Sequence, residues 1–455
     1  MCGLKYRLCV LVIIAPLICG SVAARAQSLE ARDVEVLTLD QAIAIALRGN
    51  TQIVNAELDV RRSGEDFAAT RTRRLPSFKF EALGTQQLTP IDFTFEKGVF
   101  GTFPGTGPIP AENTKLTTPL KPTAIFTTRV SQPFLQLITI NLNLKQLALK
   151  GEIAREELRA QRQQLVRDVK RAYFALLQTQ SALESAAETI RMYKELDRVT
   201  GEYLAQQVVL RTESLDVRSR LARSEYDTMT LVDQMSVQKQ QLNQLLGRDV
   251  LTGFSVTAVP DADGYEADLA AARTQALEQR PELREARLKV KQADGDRRIK
   301  KAEFIPEVSA TFQHIYTLNF NSFIPKSYMN VGVTVSWEVF DWGRRKHELA
   351  EKDLAATQAS NAVRDAESKI LIDVNDKFNK LRQARQLLSV TQLSRDAAVE
   401  NVRVLTNRYK AQMSLLKDVL QAQSQLEQAH DQGRQALLSF WTAKAEFENA
   451  IGEDK

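Results

Sequence analysis

The chain has 455 residues, with 61 Lys and Arg against 56 Asp and Glu, a formal charge of +5, and only 19 Gly and 13 Pro. That length exceeds one ordinary domain, yet no low-complexity linker divides it. A near-neutral, evenly mixed charge gives no basis for nucleic-acid binding, and past the N-terminus no apolar run approaches the ~18 residues that a spanning helix needs.

At the N-terminus, Lys5 and Arg7 precede an apolar run from Leu8 to Ile18, and Ala24-Arg25-Ala26 follows with small residues at a cleavage site. This pattern predicts a secretory signal peptide over residues 1–26. The alternative is lipidation at Cys19, against which stands the bulky Ile18 before it. Cys2, Cys9 and Cys19 are the only cysteines, so the mature chain is expected to have no disulfide or thiolate ligand. Removal of Lys5, Arg7 and Arg25 takes the formal charge from +5 to +2. A secreted chain without an apolar helix enters a membrane only as a closed β-barrel.

The rest of the chain is a duplication. Leu75-Pro76-Ser77 recurs as Ile305-Pro306-Glu307 at an offset of 230, which also lays Ala46-Leu47 on Ala276-Leu277 and Ile53 on Leu283. Later the offset is 205 without a gap: Val130-Ser131 falls on Val335-Ser336, Tyr173 on Phe378 and Leu246-Gly247 on Ile451-Gly452. The 25-residue difference is confined to the stretch between Gly84 and Lys121, a longer loop in the first copy. The first repeat is assigned to 27–250, a linker in the equatorial region to 251–268, and the second repeat to 269–455.

A helix over about 50–73 precedes the first strand. Strands are expected at about 77–86, 122–132, 307–317 and 328–340, because apolar and polar residues alternate there. Val331, Val333, Val335 and Trp337 oppose Gly332, Thr334, Ser336 and Glu338; Phe78, Phe80 and Ala82 oppose Ser77, Lys79 and Glu81. Soluble hairpins with one wet face would show the same alternation. They would not collect the aromatics: of 19 phenylalanines, eight lie between residues 76 and 134 and five between 304 and 342, as interfacial girdles require.

Long helices are predicted over about 137–205 and 343–410, and shorter ones over about 209–246 and 414–451. Leu142, Leu149, Leu165, Val169, Leu176, Leu183 and Ile190 recur at near-heptad spacing with no proline after Pro133. Such a helix is about 100 Å long. It must pack along equally long neighbours, which the two shorter helices of each repeat supply when stacked end to end. The fold class is therefore mainly α with a membrane β-barrel portion. Four strands cannot close a barrel that needs at least about eight, and symmetric closure by three chains would give twelve.

Over essentially the whole mature chain the sequence resembles the TolC-type outer-membrane efflux proteins. Most specific is Val335-Ser336-Trp337-Glu338-Val339-Phe340-Asp341-Trp342-Gly343-Arg344-Arg345, which resembles the family's strand-to-helix junction, Phe-Asp-x-Gly-Arg. The first copy keeps Ser131-Gln132-Pro133 without the Asp-x-Gly-Arg; Arg280-Pro281-Glu282-Leu283 matches a family helix start, whereas Asn50-Thr51 has threonine in place of proline. The resemblance implies a homotrimer in the outer membrane, in contact with its lipid, with a helical tunnel in the periplasm. It also implies a periplasmic adaptor (membrane fusion protein) and an inner-membrane RND or ABC transporter as partners.

Carried over by position, an acidic constriction ring would involve Asp418, with Gln421 at its second position, and Glu213 and Asp216 in the first copy. Carboxylates around a narrow bore would concentrate cations and repel one another; as solvated helix-face residues they would do neither. The resemblance places the partner-docking tip at Gln207, Val208, Tyr409 and Gln412, with Gln207 and Gln412 where the family has glycine. The junction comprises Ser131, Pro133, Phe340, Asp341, Gly343 and Arg344. His314, His347 and His430 have no metal or catalytic spacing and read as surface residues; no cofactor and no enzymatic activity are expected. The function implied is passive export through a tripartite efflux pump or type I secretion system. A structural or adhesive coiled-coil stalk is the alternative, and a periplasmic adaptor would not need two full repeats.

Overall fold

The structure, a computed structural model, describes residues 35–117, 120–207, 209–257, 268–319, 325–411 and 413–453. The expected signal peptide, with its three cysteines, most of the expected linker, Val208 and Gln412 lie outside the described residues. Among the described residues no helix is long and apolar enough to cross a membrane.

The first repeat begins with β1 (Glu35–Leu37), α1 (Leu39–Gly49) and α2 (Thr51–Thr72). Thr38-Leu39-Asp40-Gln41 caps α1 reciprocally: the Thr38 hydroxyl accepts from the Gln41 N–H, and the Gln41 side chain accepts from the Thr38 N–H. Asn50 occupies the position before Thr51 that is followed by proline in the second copy; its side-chain oxygen accepts from Gln52 N–H at 2.9 Å and starts α2.

Strand β2 (Ser77–Gln86) leads into a folded excursion made of β3 (Asp92–Phe95), β4 (Thr102–Phe103), β5 (Gly107–Pro108) and β6 (Thr114–Thr117). There β3 pairs with β6 and β4 with β5. The chain returns as β7 (Pro122–Pro133), then runs into α3 (Gln136–Ala205), a 70-residue helix, and α4 (Arg211–Leu246). Strand β8 (Phe254–Val256) pairs in parallel with β1.

The second repeat follows as α5 (Leu269–Gln279), α6 (Pro281–Ala302), β9 (Glu307–Leu318), β10 (Ser327–Ser336), α7 (Arg344–Lys410) and α8 (Leu416–Ala450). Strand β10 leaves the sheet at Ser336, short of the expected 340. Its partner at that point is Glu307, the first residue of β9, and Pro306 before it has no N–H to extend the ladder.

The long strands form one antiparallel sheet in the order β10-β9-β7-β2. Register separates two faces. One carries rows such as Phe78–Val130–Phe312–Val331 and Ala82–Phe126–Tyr316; the other carries Lys79–Arg129–Gln313–Asn330 and Ser77–Ser131–Thr311–Gly332. On the apolar face Phe126 lies 6.3 Å from Phe80 and 6.2 Å from Tyr316, ring centre to ring centre. Beyond the other end of β10, Trp337, Phe340 and Trp342 are all exposed. Aromatics at both ends of an apolar face are what two membrane–water interfaces require.

The helices repeat the duplication in three dimensions. The first core holds Ala42, Ala46, Ile53, Leu165, Val169, Tyr173, Leu176 and Leu246. The second holds their equivalents Ala272, Ala276, Leu283, Ile370, Val374, Leu381 and Ile451, with Phe378 packed against it. At Gly247 (φ +70°) the end of α4 meets the start of α2, and a Cβ there would lie 2.1 Å from the Gly49 carbonyl oxygen. Gly452 (φ +84°) meets the Gln279-Arg280 backbone in the same way. The left-handed backbone and the close approach together call for glycine. Thus α4 continues into α2, and α8 into α6, end to end along α3 and α7.

Candidate functional site

Far from the sheet, the α3–α4 and α7–α8 turns pack together. Tyr193 and Leu196 of α3, Val217 of α4, Tyr409 of α7, and Leu416, Val419 and Leu420 of α8 form one buried cluster, so the two hairpin tips are a single packed unit. The Tyr203 and Tyr409 rings meet edge to face at 6.1 Å, and burial pushes the Tyr409 phenol up. Gln207 adopts φ +57°, a left-handed turn without the glycine that would make it easy.

The four constriction candidates do not form one cluster within the chain. Glu213, Asp216 and Gln421 line a groove of about 360 Å³ together with Arg220 and Lys417. There Asp216 accepts from Arg220 Nε at 3.4 Å, so two acids face two bases. Asp418 is not in that groove lining. Its Oδ2 accepts the Leu415 N–H at 3.2 Å, capping α8 in its first turn.

Sequence reasoning missed a neighbouring feature. A groove of about 940 Å³ runs between α3, α4 and α8, and includes Tyr193, Arg220, Asp227, Glu427, His430 and Arg434. His430, expected as a surface residue, is half-buried here, and burial, with Arg434 and Arg395 nearby, lowers its pKa. Burial holds the Glu427 carboxyl above its ordinary range, opposed by side-chain hydrogen bonds from Gln423 and Thr189 and by the Arg220 charge. The signal was present: Leu416, Leu420, Gln423, Glu427, His430 and Arg434 follow one another at alternating spacings of four and three, so polar residues occupy an apolar seam.

The strand-to-helix junction is built around Asp341. Its carboxylate accepts from the Gly343 N–H at 3.1 Å, the Arg345 N–H at 3.2 Å and Arg345 Nε at 2.6 Å. The Arg345 guanidinium foremost, with both backbone donors, holds this carboxyl below the usual range. Gly343 takes φ +86° to turn the chain. Arg345, the last residue of the quoted motif, is the buried member; it also donates to the carbonyls of Glu303 and Glu338 and lies over the Phe304 ring. Arg344 stays outside, paired with Glu338 and Glu348. Phe340 and Trp342 meet edge to face at 4.8 Å, both exposed. In the first copy Ser131 sits opposite Ser77 and Thr311, and Pro133 opposite Ser309.

The fold is a four-stranded wall with one apolar face, open at both edges and continued by helices about 100 Å long. The chain belongs to the outer membrane efflux protein family, whose model matches residues 42–248 and 272–453, one match per repeat. Three solved structures are similar in fold. The CmeC outer membrane channel of Campylobacter jejuni shares 14% identity (91% of this chain, 85% of that one, TM-score 0.75). VceC of Vibrio cholerae, an outer membrane protein, shares 15% (91% and 96%, TM-score 0.72). The open state of the MtrE outer membrane channel of Neisseria gonorrhoeae shares 17% (91% and 88%, TM-score 0.69). No curated protein matches the sequence. The family is one of outer-membrane proteins of efflux, and the fold agrees with it.

Proposed function

We propose that three copies close into a passive export duct, a twelve-stranded barrel continued by a tunnel of helices. The observation that carries this reading is that sheet and helices leave the same two flanks open. In the sheet the unpaired edges are β10 and β2, ten residues each and exposed throughout. In the helical layer α3 packs on α6 and α8, and these on α7, which leaves α7 outermost on one side and α2 with α4 on the other. Those outer flanks carry exposed apolar side chains: Leu354, Ile372, Val390 and Leu393 on α7, Val54 and Leu58 on α2, Tyr226 and Met229 on α4. An unpaired strand edge and an apolar helix flank are both costly in isolation. A neighbouring copy covers both in one operation, and a ring of three supplies the strand number of a membrane barrel.

Such a duct has no energy source of its own. The tip, for which the resemblance names Gln207, Val208, Tyr409 and Gln412, is where a periplasmic adaptor and an RND or ABC transporter would dock, in tripartite efflux or type I secretion. Glu213, Asp216, Asp418 and Gln421 would set the bore there. The purified chain is expected to be a trimer in detergent, to conduct in planar bilayers, and to sensitise cells to exported compounds when deleted. A soluble monomer without conductance would defeat the reading. Asp418→Ala should raise conductance or weaken divalent-cation block, and Asp418→Asn, which keeps an acceptor for the Leu415 N–H, should do so without loosening the helix start. Unchanged conductance and block in both variants would remove Asp418 from the constriction.

A further inference from the structure

Within the polar face of the sheet, Lys79 of β2 stands directly opposite Arg129 of β7. Like charges in a cross-strand pair destabilise the pairing. Among the described residues neither side chain is in an ion pair. Both are exposed. Their row continues through Gln313 and Asn330, which carry no charge. Glu81, two residues along β2, lies in the next row beside Thr127 and makes no ion pair either. Glu307, the other acid on this face, is at the far end of β9, where it accepts from Gln136.

Closure by a second copy does not change this balance. The strand that would pair with β2 is β10, and Ser327–Ser336 contains no charged residue, so it brings no counter-charge in any register. In a closed barrel the polar face lines the lumen, and threefold symmetry sets the three Lys79–Arg129 pairs at one height.

We propose that each Lys79–Arg129 pair is a binding station for polyvalent anions on the lumen wall, three per channel, taking phosphorylated, sulfated or polycarboxylate solutes as they leave. This rests on the barrel reading above. Two adjacent cations on neighbouring strands, free of partners, match a ligand with several anionic oxygens better than they match each other. The carboxylate of Glu81 at the next level would repel an anion that moved on past the pair, which limits the station to one level of the wall.

The test is calorimetric titration of the full chain in detergent with inositol hexakisphosphate, alongside thermal unfolding. The wild type should bind. A Lys79→Gln/Arg129→Gln double variant should bind at least tenfold more weakly, and Arg129→Lys should retain binding. The anion should raise the Tm of the wild type and leave that of the double variant unmoved. Without anion, Lys79→Gln should itself raise the Tm, the opposite of what loss of a purely structural contact would do. Equal affinity in wild type and double variant, or no binding to the wild type, overturns the proposal. A wild type that is monomeric in detergent overturns the channel reading instead.

Discussion

Arg345 shows how one side chain can hold a change of secondary structure. It is 6% exposed and ties the carboxylate of Asp341 to the carbonyls of Glu303 and Glu338, so the end of β10, the start of α7 and the turn before β9 share one donor. Arg345→Ala strands the Glu303 and Glu338 carbonyls and leaves Asp341 without its charged partner, and removal of one partner from a buried charged network is strongly destabilising. The expected result is a Tm lower by several degrees with a smaller yield of oligomer, whereas Arg344→Ala, on the exposed side, should change the Tm little. Gly247→Ala is the second residue-scale expectation. The left-handed backbone alone costs about 1–2 kcal/mol, and the Cβ would collide with the Gly49 carbonyl. Denaturant unfolding should show at least that loss.

At the scale of elements, α8 is a coiled-coil strand with a polar interruption. Its seam is apolar at Leu416, Val419 and Leu420, then carries Gln423, Glu427 and His430 before returning to Phe440 and Phe447. The folded state raises the Glu427 pKa, so it binds that proton more tightly than the unfolded chain does. The stability this group contributes is therefore fully present below the ordinary carboxylate value near 4.5 and is lost as pH rises from there through the folded value. Glu427→Gln should raise the Tm at neutral pH and flatten its dependence on pH in that window. An unchanged pH profile would count against it. Asp341 works in the opposite direction: its lowered pKa supplies stability above the ordinary value of 3.8 that is lost as pH falls through the folded value.

For the whole molecule, the two faces of the sheet meet different solvents. Val331 lies on the apolar face beside Phe312, and Thr334 on the polar face beside Ser309. An arginine at a lipid-facing position near the bilayer midplane costs about 2–4 kcal/mol, so Val331→Arg should refold poorly into vesicles while Thr334→Arg should refold nearly as the wild type does. Equal refolding would mean that the apolar face does not meet lipid. The same scale explains the exposed apolar side chains on α2, α4 and α7, which lie on flanks that another copy would cover.

What was legible in the sequence was whatever has a period: the alternation of two in the strands, the near-heptad seam of the long helices, and the duplication, whose change of offset between Gly84 and Lys121 marks the excursion now seen as β3 to β6. Short elements were not legible. Helices α1 and α5 are 11 residues each, and β1 and β8 are three residues each, paired across more than two hundred positions; no local pattern announces such a pairing. At the tip, sequence position grouped Asp418 with Gln421, Glu213 and Asp216, and only the packing separated a helix cap from a groove in which Arg220 answers Asp216. The order β10-β9-β7-β2 was likewise decided by tertiary structure, because the contact of β7 with β9 joins the two repeats and depends on where α3 and α6 bring them. Periodicity is written into consecutive residues, whereas adjacency between distant segments depends on which surfaces the fold leaves to be covered.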